Sequence, residues 1–186
     1  MLVPTENERK FLLHEDSEKI FKNKAHHIKH IRQGYLGFSK GMSLRIRETN
    51  NHRYTLTFKQ KVNNRVVEIE KKMDKRDFED LWTVSVNKLE KIRYDINFFD
   101  YDNNPYLWEV DAFKDHEHKT YIIIAEHEMP EGDESPHFIP DLISENLIYS
   151  VPDSDDRFAS KKVADVKYAK KLYESLIKKL DLISSL

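Results

Sequence analysis

The chain has 186 residues, with 31 basic against 33 acidic side chains and a formal net charge of −2. That length suits one domain over 1–186, and the balanced charge argues against a nucleic-acid binder. The lack of cysteine excludes disulfides, thiolate metal sites and cysteine nucleophiles. No apolar run reaches the roughly 20 residues of a membrane-spanning helix, so a soluble, cytoplasmic protein without a membrane partner is expected.

From the N-terminus, a short helix is predicted over 17–24, with Ile20 and Phe21 as its apolar positions. His26, His27 and His30 then fall in a stretch that reads as a solvated polar connection. Strands are predicted over 44–47, 54–61 and 65–71, with turns at Asn50-Asn51 and Asn63-Asn64. Asp74 is a plausible cap for a second helix that places Phe78, Leu81 and Trp82 on one face. Further strands follow over 92–99, 106–113 and 121–129, with His116 and His118 in a charged turn and 130–140 as a loop. From Ser160 onward, Val163, Val166, Leu172, Tyr173, Leu176, Ile177, Leu180 and Ile183 recur at helical spacing and predict one helix over about 160–184. Connections this short favour antiparallel strands.

Residues two apart share a face in a strand. The charges use that spacing: Glu6 with Glu8 and Lys10, Arg45 with Arg47, Lys59 with Lys61, Glu68 with Glu70. Lys91 with Arg93, Glu109 with Asp111, and Glu126 with Glu128 continue the series. A sheet with one wet face also alternates in this way. The strands, however, are segregated by sign, whereas solvated surfaces mix charges. Acidic and basic pairs facing each other across a closed sheet would form a polar interior suited to a polyanion and its metal ions. The four glycines offer no glycine-rich phosphate loop, so any such anion must be held by side chains.

Glu6-Asn7-Glu8-Arg9-Lys10 fits the ExExK motif, and the chain resembles the CYTH family, the triphosphate tunnel metalloenzymes. Gln33-Gly34-Tyr35-Leu36, Leu44-Arg45-Ile46-Arg47 and Thr55-Leu56-Thr57-Phe58-Lys59 resemble its successive motifs, and the later charge pairs follow in the family's order. Asp156-Arg157-Phe158-Ala159-Ser160-Lys161 resembles a closing family segment, which puts the likeness at about 3–165. Asn7 and Phe158 depart from the usual aliphatic residue and tyrosine.

The resemblance implies an α+β fold: an eight-stranded antiparallel barrel with a polar interior, helices packed outside and an extra C-terminal helix on the outer wall. By similarity, Lys10, Arg45, Arg47, Lys59, Lys91, Arg93, Arg157 and Lys161 would bind substrate. Glu6, Glu8, Asp111, Glu126 and Glu128 would hold Mg²⁺ or Mn²⁺, and Glu68, Glu70, Lys59 and Tyr35 would act in catalysis. Lys61 is left open between the interior and solvent. The implied function is hydrolysis of the terminal phosphoanhydride of a triphosphate by a monomer or homodimer. No aromatic residue is seen on the charged faces of the basic strands, which favours inorganic tripolyphosphate. Thiamine triphosphatase, class IV-type adenylyl cyclase and a non-catalytic polyphosphate-binding or nucleotide-binding module are the alternatives.

Overall fold

A computed structural model describes residues 7–62 and 65–184. Nine strands form one antiparallel sheet: β1 (Glu8–Leu13), β2 (His27–Ser39), β3 (Met42–Thr49), β4 (Arg53–Val62), β5 (Arg65–Lys72), β6 (Asn87–Phe99), β7 (Pro105–Lys114), β8 (Thr120–Glu128) and β9 (Leu147–Val151). Their order is β5-β4-β3-β2-β6-β7-β8-β1-β9. The expected closed eight-stranded barrel is therefore corrected to an open nine-stranded sheet. The reason lies in β1, which pairs with β8 on one side and β9 on the other, leaving no edge for β5. The sheet is nonetheless strongly curled, since side chains from β1 through β8 line a single cavity.

Local chemistry sets the turns. Asn50 and Asn51 have φ of 52° and 59°, the left-handed pair that a tight hairpin between β3 and β4 requires. Gly41, with φ of 77°, turns β2 into β3. Among the described residues, five α-helices cover the sheet: α1 (Glu18–Lys24), α2 (Lys75–Val84), α3 (Asp141–Ser144), α4 (Ser160–Val163) and α5 (Val166–Ser184). The Asp74 carboxylate caps α2 by accepting from the Asp77 amide at 2.9 Å. Such a cap contributes about 1 kcal/mol.

The convex face is apolar in two places. Phe11, Leu13, Trp108, Val110, Ile123 and Ala125 pack with Phe21 of α1 and Ile143 of α3. Ile46 and Tyr54 pack with Phe78 of α2. The concave face changes character along its length. It is charged around the cavity, but Leu12, Phe113, Ile122 and Ile124, which share that face by strand alternation, are apolar and buried. They meet Val163 of α4 and Ala169, Leu172 and Leu176 of α5. The C-terminal stripe thus packs against the concave face, not the outer wall as expected. The single predicted helix is also two. Asp165 interrupts it and caps α5, accepting from the amides of Lys167 at 3.0 Å and Tyr168 at 3.1 Å.

β2 was not anticipated. His27 and His30 are exposed as expected, but on a strand at the centre of the sheet. β9 was also missed, whereas 130–140 is an irregular connection as predicted. No helix is long and apolar enough to cross a membrane among the described residues.

Candidate functional site

Strand alternation brings the charge pairs together. Glu8 and Lys10, Arg45 and Arg47, Lys59 and Lys61, Glu68 and Glu70, Lys91 and Arg93, Glu109, and Glu126 and Glu128 surround one cavity of about 400 Å³. Tyr35 from β2 and Ala159, Ser160 and Lys161 from the start of α4 complete its wall. Lys61, left open by the sequence, belongs to this lining. A smaller cavity of about 120 Å³ shares Arg47, Glu70, Arg93 and Glu109 with it. Another, of about 330 Å³, lies at the seam where Lys61 and Val66 approach Val151 and Asp155.

The cations and carboxylates are interlocked. Arg93 Nε and Nη2 each donate to Asp111 at 2.6 Å, Nη2 reaches Glu126 at 2.9 Å, and Nη1 donates to Glu109. Lys91 pairs with Asp111, and Lys10 bridges Glu126 and Glu8, the latter at 2.5 Å. On the opposite wall, Glu68 receives Arg45 at 3.3 Å and Lys59 at 3.2 Å. Glu70 accepts from Thr57 Oγ1 at 3.3 Å and pairs with Arg53 at 3.0 Å.

These contacts set the ionisation of the groups. Burial works against charge on Glu126, but Lys10, Arg93 and Lys91 hold it well below the usual carboxylate range. Burial likewise opposes charge on Lys10, and Glu126 and Glu8 outweigh it, so its pKa is raised. Lys91 goes the other way: burial and the neighbouring Arg93 bring it down to about 8 against the pull of Asp111 and Glu126. Burial, with Arg45 and Arg93 adding repulsion, lowers Arg47 to about 10. Tyr35 is raised by burial and stays a neutral phenol.

Not every expected site residue reaches the cavity. Asp111 is fully buried behind Arg93 and Lys91 and does not line it. Arg157 is held to Asp155 by two hydrogen bonds, at 2.8 and 2.6 Å, and lies near the Tyr149 and Phe158 rings instead. Glu6 lies outside the described residues. Two contributors were passed over. Glu109 was visible as the strand partner of Asp111, and Gln33 stands inside the Gln33-Gly34-Tyr35-Leu36 motif. Trp108 packs in the convex core, away from the cavity.

The acidic side chains of the cavity offer carboxylate oxygens alone, with no histidine in the lining among the described residues. Such hard donors suit Mg²⁺ or Mn²⁺. Among the described residues, no three His, Asp or Glu side chains converge into a ready-made metal cage. Arg45 carries a fitting signal for an anion, because its Nε is buried without a hydrogen-bond partner.

A wall of paired cations and carboxylates, drawn from strands along nearly the whole sheet, is a specific architecture, and the family comparison agrees with it. The CYTH domain model matches residues 4–159. The chain belongs to the CYTH domain family. A crystal structure described as the inorganic triphosphatase NE1496 is 28% identical, with a TM-score of 0.54 over 87% of this chain and 95% of that one. A second structure of NE1496, described as a hypothetical protein, gives the same identity and score over 86% and 97%. PH1012 from Pyrococcus horikoshii OT3, 18% identical with a TM-score of 0.50 over 69% and 80%, shares the CYTH fold. No curated protein matches the chain significantly.

Proposed function

We propose that the protein is a metal-dependent triphosphatase that cleaves the terminal phosphoanhydride of a linear triphosphate, with inorganic tripolyphosphate as its substrate. The supporting observation is the cavity lining. Basic side chains from β1, β3, β4 and β6 face one 400 Å³ space, and the one aromatic ring among the described lining residues, Tyr35, is buried. A stacking surface is one of the means by which a site holds an organic moiety, and the described lining residues offer no exposed aromatic ring. The 28% identity to NE1496 points the same way.

In this reading, Arg45 and Arg47 hold phosphate oxygens through paired N–H donors, and Lys10, Lys59, Lys91 and Lys161 supply charge. Glu8, Glu126, Glu128 and Glu109 are the carboxylates that would hold a divalent ion. When bound, such an ion would supply charge withdrawal from the phosphoryl oxygens. Glu68, beside Arg45 and Lys59, is the proposed acceptor of the water proton. The water oxygen bonds to the terminal phosphorus, the phosphoanhydride P–O bond breaks, and pyrophosphate departs with the bonding pair.

The test is phosphate release from tripolyphosphate, ATP and thiamine triphosphate in parallel, with Mg²⁺ and with EDTA. Tripolyphosphate should give the highest kcat/KM, and EDTA should abolish turnover. A preference for either organic substrate would overturn the substrate assignment, and absence of turnover on all three would favour a binding module.

A further inference from the structure

The basic side chains of the wall differ in how their charge is already used. Arg93 contacts three carboxylates, Lys10 two, Lys91 one, and Arg45 and Lys59 share Glu68. Among the described residues Lys61, Lys161 and Arg47 have no ion-pair partner, and of these only Arg47 is held in place by side-chain hydrogen bonds. Both of its hydrogen bonds go to a neutral group: Nε and Nη2 donate to Gln33 Oε1 at 3.1 and 3.0 Å. Among the described residues it has no carboxylate partner, although it stands where the main cavity meets the smaller one.

Gln33 is fully buried and lies directly opposite Arg47 in the β2–β3 ladder. Its orientation is fixed by chemistry. A guanidinium offers donors only, so the amide oxygen must face Arg47. The amide nitrogen then points to Tyr35, donating to its hydroxyl at 2.9 Å. One side chain thereby aims both a cation and a phenol at the cavity and neutralises neither. A carboxylate of the same shape would hold Arg47 equally well, but would cancel its charge.

We propose that Gln33 is a positioning residue that presents Arg47 to substrate phosphate with its positive charge uncompensated. This rests on the triphosphate reading above, so the experiment separates the two. Tripolyphosphate binding is measured by titration calorimetry in metal-free buffer for the wild type, Gln33→Glu, Arg47→Ala and the double variant, with thermal melts of each. Gln33→Glu is nearly isosteric and gains an ion pair, so its melting temperature should hold or rise. Its Kd should weaken at least about tenfold, because Arg47 is then engaged. In the Arg47→Ala background, the same change should cost less than about threefold.

No measurable binding by the wild type, in metal-free buffer or with Ca²⁺ added, would sink the triphosphate reading itself. Wild-type binding with an unaltered Gln33→Glu would overturn the role of Gln33. Equal losses in both backgrounds would also overturn it, since they would mean plain repulsion between the introduced carboxylate and the anion. If Gln33→Glu melts more than about 5 °C below the wild type, Gln33→Met decides. It removes the two hydrogen bonds that aim Arg47, so binding should weaken about threefold or more, and unchanged binding would overturn the proposal.

Discussion

Glu8 on β1 stands directly across the ladder from Glu128 on β8, one carboxylate facing another. Like charges placed opposite each other destabilise a sheet unless a cation lies between them. Lys10 reaches Glu8 and Glu126, but Glu128 makes no ion pair among the described residues. The pair has the chemistry of a divalent-ion site completed by phosphate and water. Glu8→Gln and Glu128→Gln should each lower Mg²⁺-dependent phosphate release by about 100-fold. The melting temperature of Glu128→Gln should stay level or rise slightly as repulsion is relieved, whereas Glu8→Gln also gives up an ion pair with Lys10 and should not gain stability. Near-normal turnover in both variants would remove this lip of the cavity from the metal assignment.

Asp111 tests a different role. It is fully buried and compensates Arg93 and Lys91 at once. Removing one partner of a buried ion pair leaves uncompensated charge and costs about 3–5 kcal/mol. Asp111→Asn should therefore shift the denaturant midpoint strongly downward, unlike Glu128→Gln. A variant of wild-type stability that has lost turnover would instead place Asp111 among the metal ligands, as the family resemblance implies.

Gly34 is needed for a close approach. A methyl group there would lie 2.4 Å from Ser85 Oγ, 3.0 Å from Ser85 Cβ and 3.3 Å from the Trp82 ring. Ser85 follows α2, and its hydroxyl donates to the Leu81 carbonyl at 3.0 Å. Gly34→Ala should push α2 off the sheet and cost about 1–3 kcal/mol. Adding Ser85→Gly should recover part of that loss, as read by chemical denaturation. No recovery in the double variant would place the strain elsewhere.

How legible each part of the fold was depended on whether a strand kept its two faces chemically distinct. In β3, Arg45 and Arg47 alternate with Leu44 and Ile46, so the strand and its inward face could be read directly. β2 hid because the concave Lys29 and Gln33 alternate with the convex His30 and Arg32, so polar residues occupy both faces. Its convex side is partly uncovered, with Ile28 and His30 exposed. Arg157 was assigned to the site by motif, but Asp155, two residues away, captures it at short range. The openness of the sheet depends on β9, whose five residues lack a distinct sequence pattern. The C-terminal helices were found by periodicity, yet the break at Asp165 and the face they cover depend on the cap and on the apolar half of the concave wall.

That placement gives the C-terminal segment a role in holding the site together. α5 buries Ala169, Leu172 and Leu176 against Leu12, Ile122 and Ile124, which lie on the same strand faces as Lys10 and Glu126. α4, carrying Ser160 and Lys161 at the cavity, is joined to α5 through Ala164 and Asp165. Asn87 Nδ2 also donates to the Lys161 carbonyl at 2.9 Å, which ties α4 to β6. Ending the chain after Ala169 would expose the apolar half of the concave face and leave α4 without its neighbour. Large-to-small losses at each buried leucine cost about 2–5 kcal/mol, so the truncated protein should aggregate or melt at least about 10 °C lower. Turnover should fall in parallel, because the same packing that covers Leu12 and Ile124 sets the position of Lys161. Thermal melts and phosphate release on the truncated chain measure both. A truncated protein with wild-type melting and full turnover would mean that α5 merely decorates the fold.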